Sequence, residues 1–147
     1  MYLFYGQPDA VASVEGGPEV PELSGEVSFY QRGGSVLVVA AIANLPRNET
    51  GFFGFHIHEG NHCRGKNFAD TGSHYNPSGA PHPGHAGDLP PLLSCGGRAY
   101  LAVCTDRFRV EDLIGRTVVI HSGADDFHSQ PAGNAGNKIA CGVIRRP

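Results

Sequence analysis

The 147-residue chain is 40% hydrophobic and 17% charged with a net charge of -3, which is ordinary for a globular protein and leaves no basic footprint for nucleic acid. No run approaches the ~18 apolar residues of a membrane-spanning helix. Residues 1–8 lack a basic n-region and a long apolar stretch and do not read as a secretory leader, so the expected location is cytoplasmic, or secreted or periplasmic if a leader has been removed.

With 21 glycines and 11 prolines the chain is turn-rich, and its length suits one domain over 1–147 with no repeat or linker. An early strand is expected over Ala10–Val14. Val27 and Phe29 alternate with Glu26, Ser28 and Tyr30, a period of two. The turn Gln31-Arg32-Gly33-Gly34 follows, and then the β-branched run from Ser35 to Leu45. Together these read as a hairpin. Phe52–His58 is a third strand.

Residues 59–97 carry little periodic pattern, yet they hold His62, His74, His82 and His85. A long unpatterned stretch inside a compact domain points to function. Strands return over 99–104, 117–121 and 139–144, with a single helical turn at Val110–Ile114 and a Gly/Asp/Asn/Pro-rich loop at 122–138. Many short strands between turn signals make an all-β sandwich or barrel.

All eight histidines lie between residues 56 and 128, a distribution that hints at metal binding. His56 and His58, two apart on a strand, project from one face and can reach one metal; taken alone, the pair also fits two half-exposed strand histidines. The segment from His74 through His82 and His85 to Asp88 offers three imidazoles and a carboxylate among glycines and prolines. That donor set suits a closed tetrahedral zinc site, with a His-rich surface loop as the alternative. His121 ends a strand, and Asp125 follows it. A carboxylate there can accept the free ring N–H of metal-bound histidines. His62 and His128 have no place in this scheme and are expected in solvent.

At this level the motifs become specific. Gly54-Phe55-His56-Ile57-His58-Glu59, His74-Tyr75-Asn76-Pro77, His85-Ala86-Gly87-Asp88-Leu89, the strand Gly115–His121 with Asp125-Asp126, and Gly133–Ile144 occur in the order found in the copper/zinc superoxide dismutases, and over residues 54–144 the chain resembles that family. The resemblance implies an eight-stranded Greek-key sandwich or flattened barrel with long metal-binding and electrostatic loops. It implies copper on His56, His58, His74 and His121, and zinc on His74, His82, His85 and Asp88. His74 would bridge the two metals, and Asp125 would hydrogen-bond ligands of both. The implied reaction is dismutation of superoxide to oxygen and hydrogen peroxide by a redox-cycling copper, with His74 taking up a proton and handing it on. A metal-binding relative without catalysis, serving copper or zinc storage or delivery, is the alternative.

The resemblance also implies an intrasubunit disulfide between Cys63 and Cys141, worth roughly 4 kcal/mol on chain-entropy grounds. Cys95 and Cys104 fall outside the pattern and are expected as free thiols, an intermolecular bridge being the lesser option. Where the family usually has an arginine beside copper, this chain has Lys138. It keeps the positive charge that draws in superoxide but lacks the guanidinium fork, so an arginine here is expected to raise kcat/KM at low salt. The shortened segment Glu59–Cys63 leaves a homodimer open, by an interface that differs from that of the animal enzymes. Residues 35–42 are candidates for that interface or for the core.

Overall fold

The computed structural model describes residues 5–147; Met1–Phe4, part of the stretch read above for a leader, lie outside the described residues. Among the described residues nine strands run in chain order as β1 (Ala10–Gly16), β2 (Ser24–Arg32), β3 (Ser35–Ala43), β4 (Phe52–Phe53), β5 (Phe55–His58), β6 (Leu92–Leu93), β7 (Ala99–Thr105), β8 (Thr117–His121) and β9 (Lys138–Arg145). One helical turn, α1 (Val110–Leu113), precedes β8. Seven strands form one antiparallel sheet in the order β5-β8-β9-β1-β2-β3-β7, and β4 pairs with β6. The sheet curls on itself, as the all-β Greek-key barrel expectation requires.

The expected hairpin is β2–β3, in register from Ser24↔Ala43 to Arg32↔Ser35. Alternation sets its faces: Val27 and Phe29 on β2, and Val36, Val38, Ala40 and Ile42 on β3, enter one core cluster with Ala10, Ala12 and Val14 of β1 and Ile144 of β9. Residues 35–42 therefore belong to a central strand between β2 and β7, and their inward row is core.

Two details depart from the strand pattern of the sequence. The apolar run Phe52–His58 divides at Gly54 into β4 and β5, which pair with β6 and β8. Gly54 itself is tied to the far loop, donating from its N–H to Gly123 O and accepting from His121 N–H, both at 2.8 Å. A Cβ there would lie 2.8 Å from the Ala135 side chain, so this crossing needs glycine. The 59–97 stretch also holds a 3-10 segment, Lys66–Thr71, in which Asn67 and Phe68 take left-handed backbone conformations. Among the described residues no helix is long and apolar enough to cross a membrane.

Candidate metal centre

Strand β5 has a double allegiance that follows from its period of two. Phe55 and Ile57 enter the core cluster. His56 and His58 point the other way and are nonetheless buried, at 0% and 2% exposure. β8 pairs with β5, and its register with β9 shifts between Ile120 and His121. That irregularity sets His121 opposite Lys138 and brings His121 Nε2 to 3.2 Å from His58 Nε2.

The second cluster is folded by its own loop. Asn76 closes the first bend, with Oδ1 accepting from Ala80 N–H and Nδ2 donating to Ala80 O. The loop then clips onto the edge of β5 through Ile57 N–H to Gly87 O and Tyr75 N–H to Ile57 O, both 2.8 Å. A Cβ on Gly87 would fall 2.3 Å from Ile57 O, so only glycine permits this approach. Gln130 brackets His82 from the far loop, accepting from His82 N–H and donating to His82 O.

Eight side chains from four segments thus meet, and they sort into groups able to hold a metal ion: His56, His58, His74 and His121; His74, His82, His85 and Asp88; and His56, His82 and Asp125. In the second group His74 Nδ1 lies 3.1 Å from His85 Nδ1 and 2.8 Å from Asp88 Oδ1. Asp88 Oδ2 lies 3.1 Å from His82 Nδ1 and 3.2 Å from His85 Nδ1. A tetrahedral zinc bound at about 2.0–2.1 Å has donor–donor edges of about 3.3 Å, so these four side chains lie close enough together to share one such ion.

Four of the nitrogens facing outward from the clusters are paired. His56 Nε2 donates to Asp125 Oδ2 and His82 Nε2 to Asp125 Oδ1, each at 2.8 Å. His58 Nδ1 donates to Gly72 O at 2.9 Å and His121 Nδ1 to Gly136 O at 3.3 Å. The inward nitrogens His56 Nδ1, His74 Nε2 and His82 Nδ1 are buried without a hydrogen-bond partner. Buried polar atoms ordinarily find partners, and lone pairs converging from four imidazoles repel one another unless a cation sits among them. The donor set therefore fits metal ions, borderline in softness and imidazole-rich on one side, with a carboxylate added on the other.

Burial lowers the pKa of His56, His58 and His85, and it pushes His121 down to about 3, with the His56 ring adding to the effect. Neutral imidazole is the form that binds a metal, so these rings are ready at neutral pH. Burial works to raise the Asp125 carboxyl, but hydrogen bonds from His56, His82 and the Phe127 N–H outweigh it and hold the group well below the usual carboxylate range. Asp88 is lowered in the same balance, its burial overcome by His74.

A cavity of about 510 Å³ opens beside the first group, with His58, His74, His121 and Lys138 in its lining. Lys138 Nζ donates to Thr71 Oγ1 at 2.8 Å and Gly72 O at 2.9 Å. The Cys63–Cys141 disulfide is present and joins the 59–97 stretch to β9. Cys95 and Cys104 are free and exposed, and His62 and His128 are exposed. Sequence reasoning missed Thr71, Gln130, the Gly72 and Gly136 carbonyls, and Gly133. A Cβ on Gly133 would lie 2.1 Å from Asp125 Oδ1 and 2.5 Å from His82 Nε2. Backbone acceptors carry no side-chain signature; only the glycines at 72, 133 and 136 hinted at close approach.

Comparison with known proteins agrees with this geometry. Residues 23–144 match the sequence model of the family described as copper/zinc superoxide dismutase. The chain is 34% identical over 139 residues to "Superoxide dismutase [Cu-Zn] 2" of Aquifex aeolicus, covering 84% of this chain and 80% of that protein. It is 35% identical over 139 residues to "Superoxide dismutase [Cu-Zn]" of Legionella pneumophila, covering 88% and 82%. It is also 36% identical over 152 residues to "Copper chaperone for superoxide dismutase" of Mus musculus, covering 93% of this chain but 53% of that protein.

Proposed function

Since this chain belongs to the copper/zinc superoxide dismutase family, we propose that it converts two superoxide anions and two protons into dioxygen and hydrogen peroxide. The observation that carries the reading is His74. Its ring enters both four-residue groups, with Nδ1 beside His85 and Asp88 and with Nε2 buried and unpartnered. One imidazole with both nitrogens committed to metal groups is how a redox ion and a structural ion can share a ligand.

In this reading His56, His58, His74 and His121 would hold copper. His74, His82, His85 and Asp88 would hold zinc. Copper held there would supply reversible one-electron chemistry, and His74 would be shared with a zinc that is not redox-active. The chain does the rest. Gly72 O and Gly136 O orient the rings of His58 and His121. Asp125 locks His56 and His82 with one carboxylate. The cavity admits a small anion to His58, His74 and His121 of the first group, and the Lys138 ammonium in its wall attracts that anion. His74 Nε2, whenever its lone pair is not engaged by a metal, is the atom that can hold a proton for the peroxide product.

The copper-chaperone relatives favour a second reading, delivery or storage of metal without turnover. Metal analysis of the purified protein, followed by superoxide consumption before and after copper is supplied, separates the two. Dismutation by the copper- and zinc-loaded protein supports the first. Loaded protein that passes copper to an acceptor and leaves superoxide untouched replaces it with the second.

A further inference from the structure

The Lys138 ammonium carries three N–H donors and no acceptor, so in its contact with Thr71 the hydroxyl oxygen must accept. The single hydroxyl hydrogen of Thr71 goes the other way, to Phe68 O at 2.8 Å. The polarity of this chain of bonds is therefore fixed, from Lys138 Nζ to Thr71 Oγ1 and on to Phe68 O.

Thr71 is held as firmly as its polarity. It is fully buried, and its carbonyl accepts from Gly60 N–H at 2.8 Å. A Cβ on Gly60 would lie 2.0 Å from Asp70 O, so that close approach, two residues beyond β5, is open only to glycine. Branching at Cβ narrows the χ1 choices of the threonine further. The second acceptor of Lys138, Gly72 O, also takes the His58 Nδ1 hydrogen. Two of the three ammonium donors are thus spent on the wall, and among the described contacts one remains for an incoming anion.

We propose that Thr71 is the positioning residue for Lys138: its buried hydroxyl fixes a flexible lysine at the mouth of the histidine cavity and thereby sets how strongly that cavity draws a small anion. An arginine brings its own rigid fork; a lysine has to be given its rigidity by a neighbour. For superoxide as the anion, this inference rests on the dismutase reading; the contact itself and its effect on other anions do not.

The chain has only two lysines, at 66 and 138, so lysine-selective isotope labelling gives a simple spectrum. Copper(I)- and zinc-loaded wild type, Thr71→Ser and Thr71→Val are compared. In wild type and Thr71→Ser the Lys138 ammonium gives a slowly exchanging nitrogen signal, and inorganic phosphate shifts the Lys138 Cε resonance. In Thr71→Val the ammonium signal is lost and phosphate affinity falls about threefold to tenfold. With superoxide, kcat/KM at low ionic strength falls by a similar factor and its salt dependence flattens. The proposal is overturned if Thr71→Val keeps the wild-type ammonium signal and phosphate affinity, or if the serine and valine variants behave alike. A wild type that consumes no superoxide refutes the dismutase reading alone, because the ammonium and phosphate measurements still decide the role of Thr71.

Discussion

Asp125 accepts His56 on one carboxylate oxygen and His82 on the other, both at 2.8 Å, and its side chain is 1% exposed. One carboxylate thereby fixes the rotation of a ring in each four-residue group. Asp125→Asn puts an amide where two ring N–H groups need acceptors, so one of them loses its partner. Affinity for metal should fall about 10–100-fold, on both sides of the centre. Competition against a chelator for zinc and for copper measures it; loss confined to one metal would refute the shared role.

Gly133 sits against that carboxylate with φ at +72°. Gly133→Ala places a methyl group into Asp125 Oδ1 and His82 Nε2 from a backbone conformation that alanine resists. The variant should lose about 1–3 kcal/mol of stability and reproduce the metal-affinity loss of Asp125→Asn. Thermal unfolding with metal analysis checks both effects.

The Cys63–Cys141 bridge spans 78 positions. Replacing both cysteines by serine should cost about 2–5 kcal/mol in denaturant unfolding. The cost should come with faster proteolysis in 59–72, the stretch the bridge ties to β9. Wild-type stability in the double variant would remove the bridge from the account of how this stretch is ordered.

The metal-free protein should weaken in mild acid. His56, His58, His85 and His121 have lowered pKa values when folded, His121 to about 3, against about 6.5 when unfolded. Between those limits the unfolded chain binds more protons, so unfolding free energy rises with pH. Stability is full above about pH 6.5 and is lost as the pH falls toward 3. Asp88 and Asp125 are lowered instead, and their contribution persists until the pH drops through the unfolded carboxylate range near 4. Urea titrations of metal-free protein at pH 7.5 and 5 test the slope; equal stability would contradict it.

Much of this centre was legible in the sequence because its side chains are chemically distinctive and closely spaced. His56 and His58 obey strand alternation, and the His74–Asp88 loop concentrates its donors between glycines and prolines. What escaped was carried by groups that every residue has. The Gly72 and Gly136 carbonyls aim two rings, and nothing in a sequence marks which carbonyl will accept. Thr71 is a common residue whose role depends on Lys138, 67 positions away and delivered by another strand. The division of Phe52–His58 at Gly54 was hidden for the same reason, since it is imposed by Gly123 and Ala135 from a distant loop.

The curled sheet has a consequence for how the centre comes into being. β1 pairs with β9, joining Val11 to Arg145 and Gly16 to Ala140, and such non-local pairings form late because a long loop must close before any contact rewards it. His74, His82, His85 and Asp88 lie on one short loop and can gather with little chain closure. His56 and His58 meet His121 only once β5 has found β8. Contact order alone therefore predicts that the loop half gathers before the strand half, and φ-values at Tyr75 and Val119 would show whether the two form in that sequence.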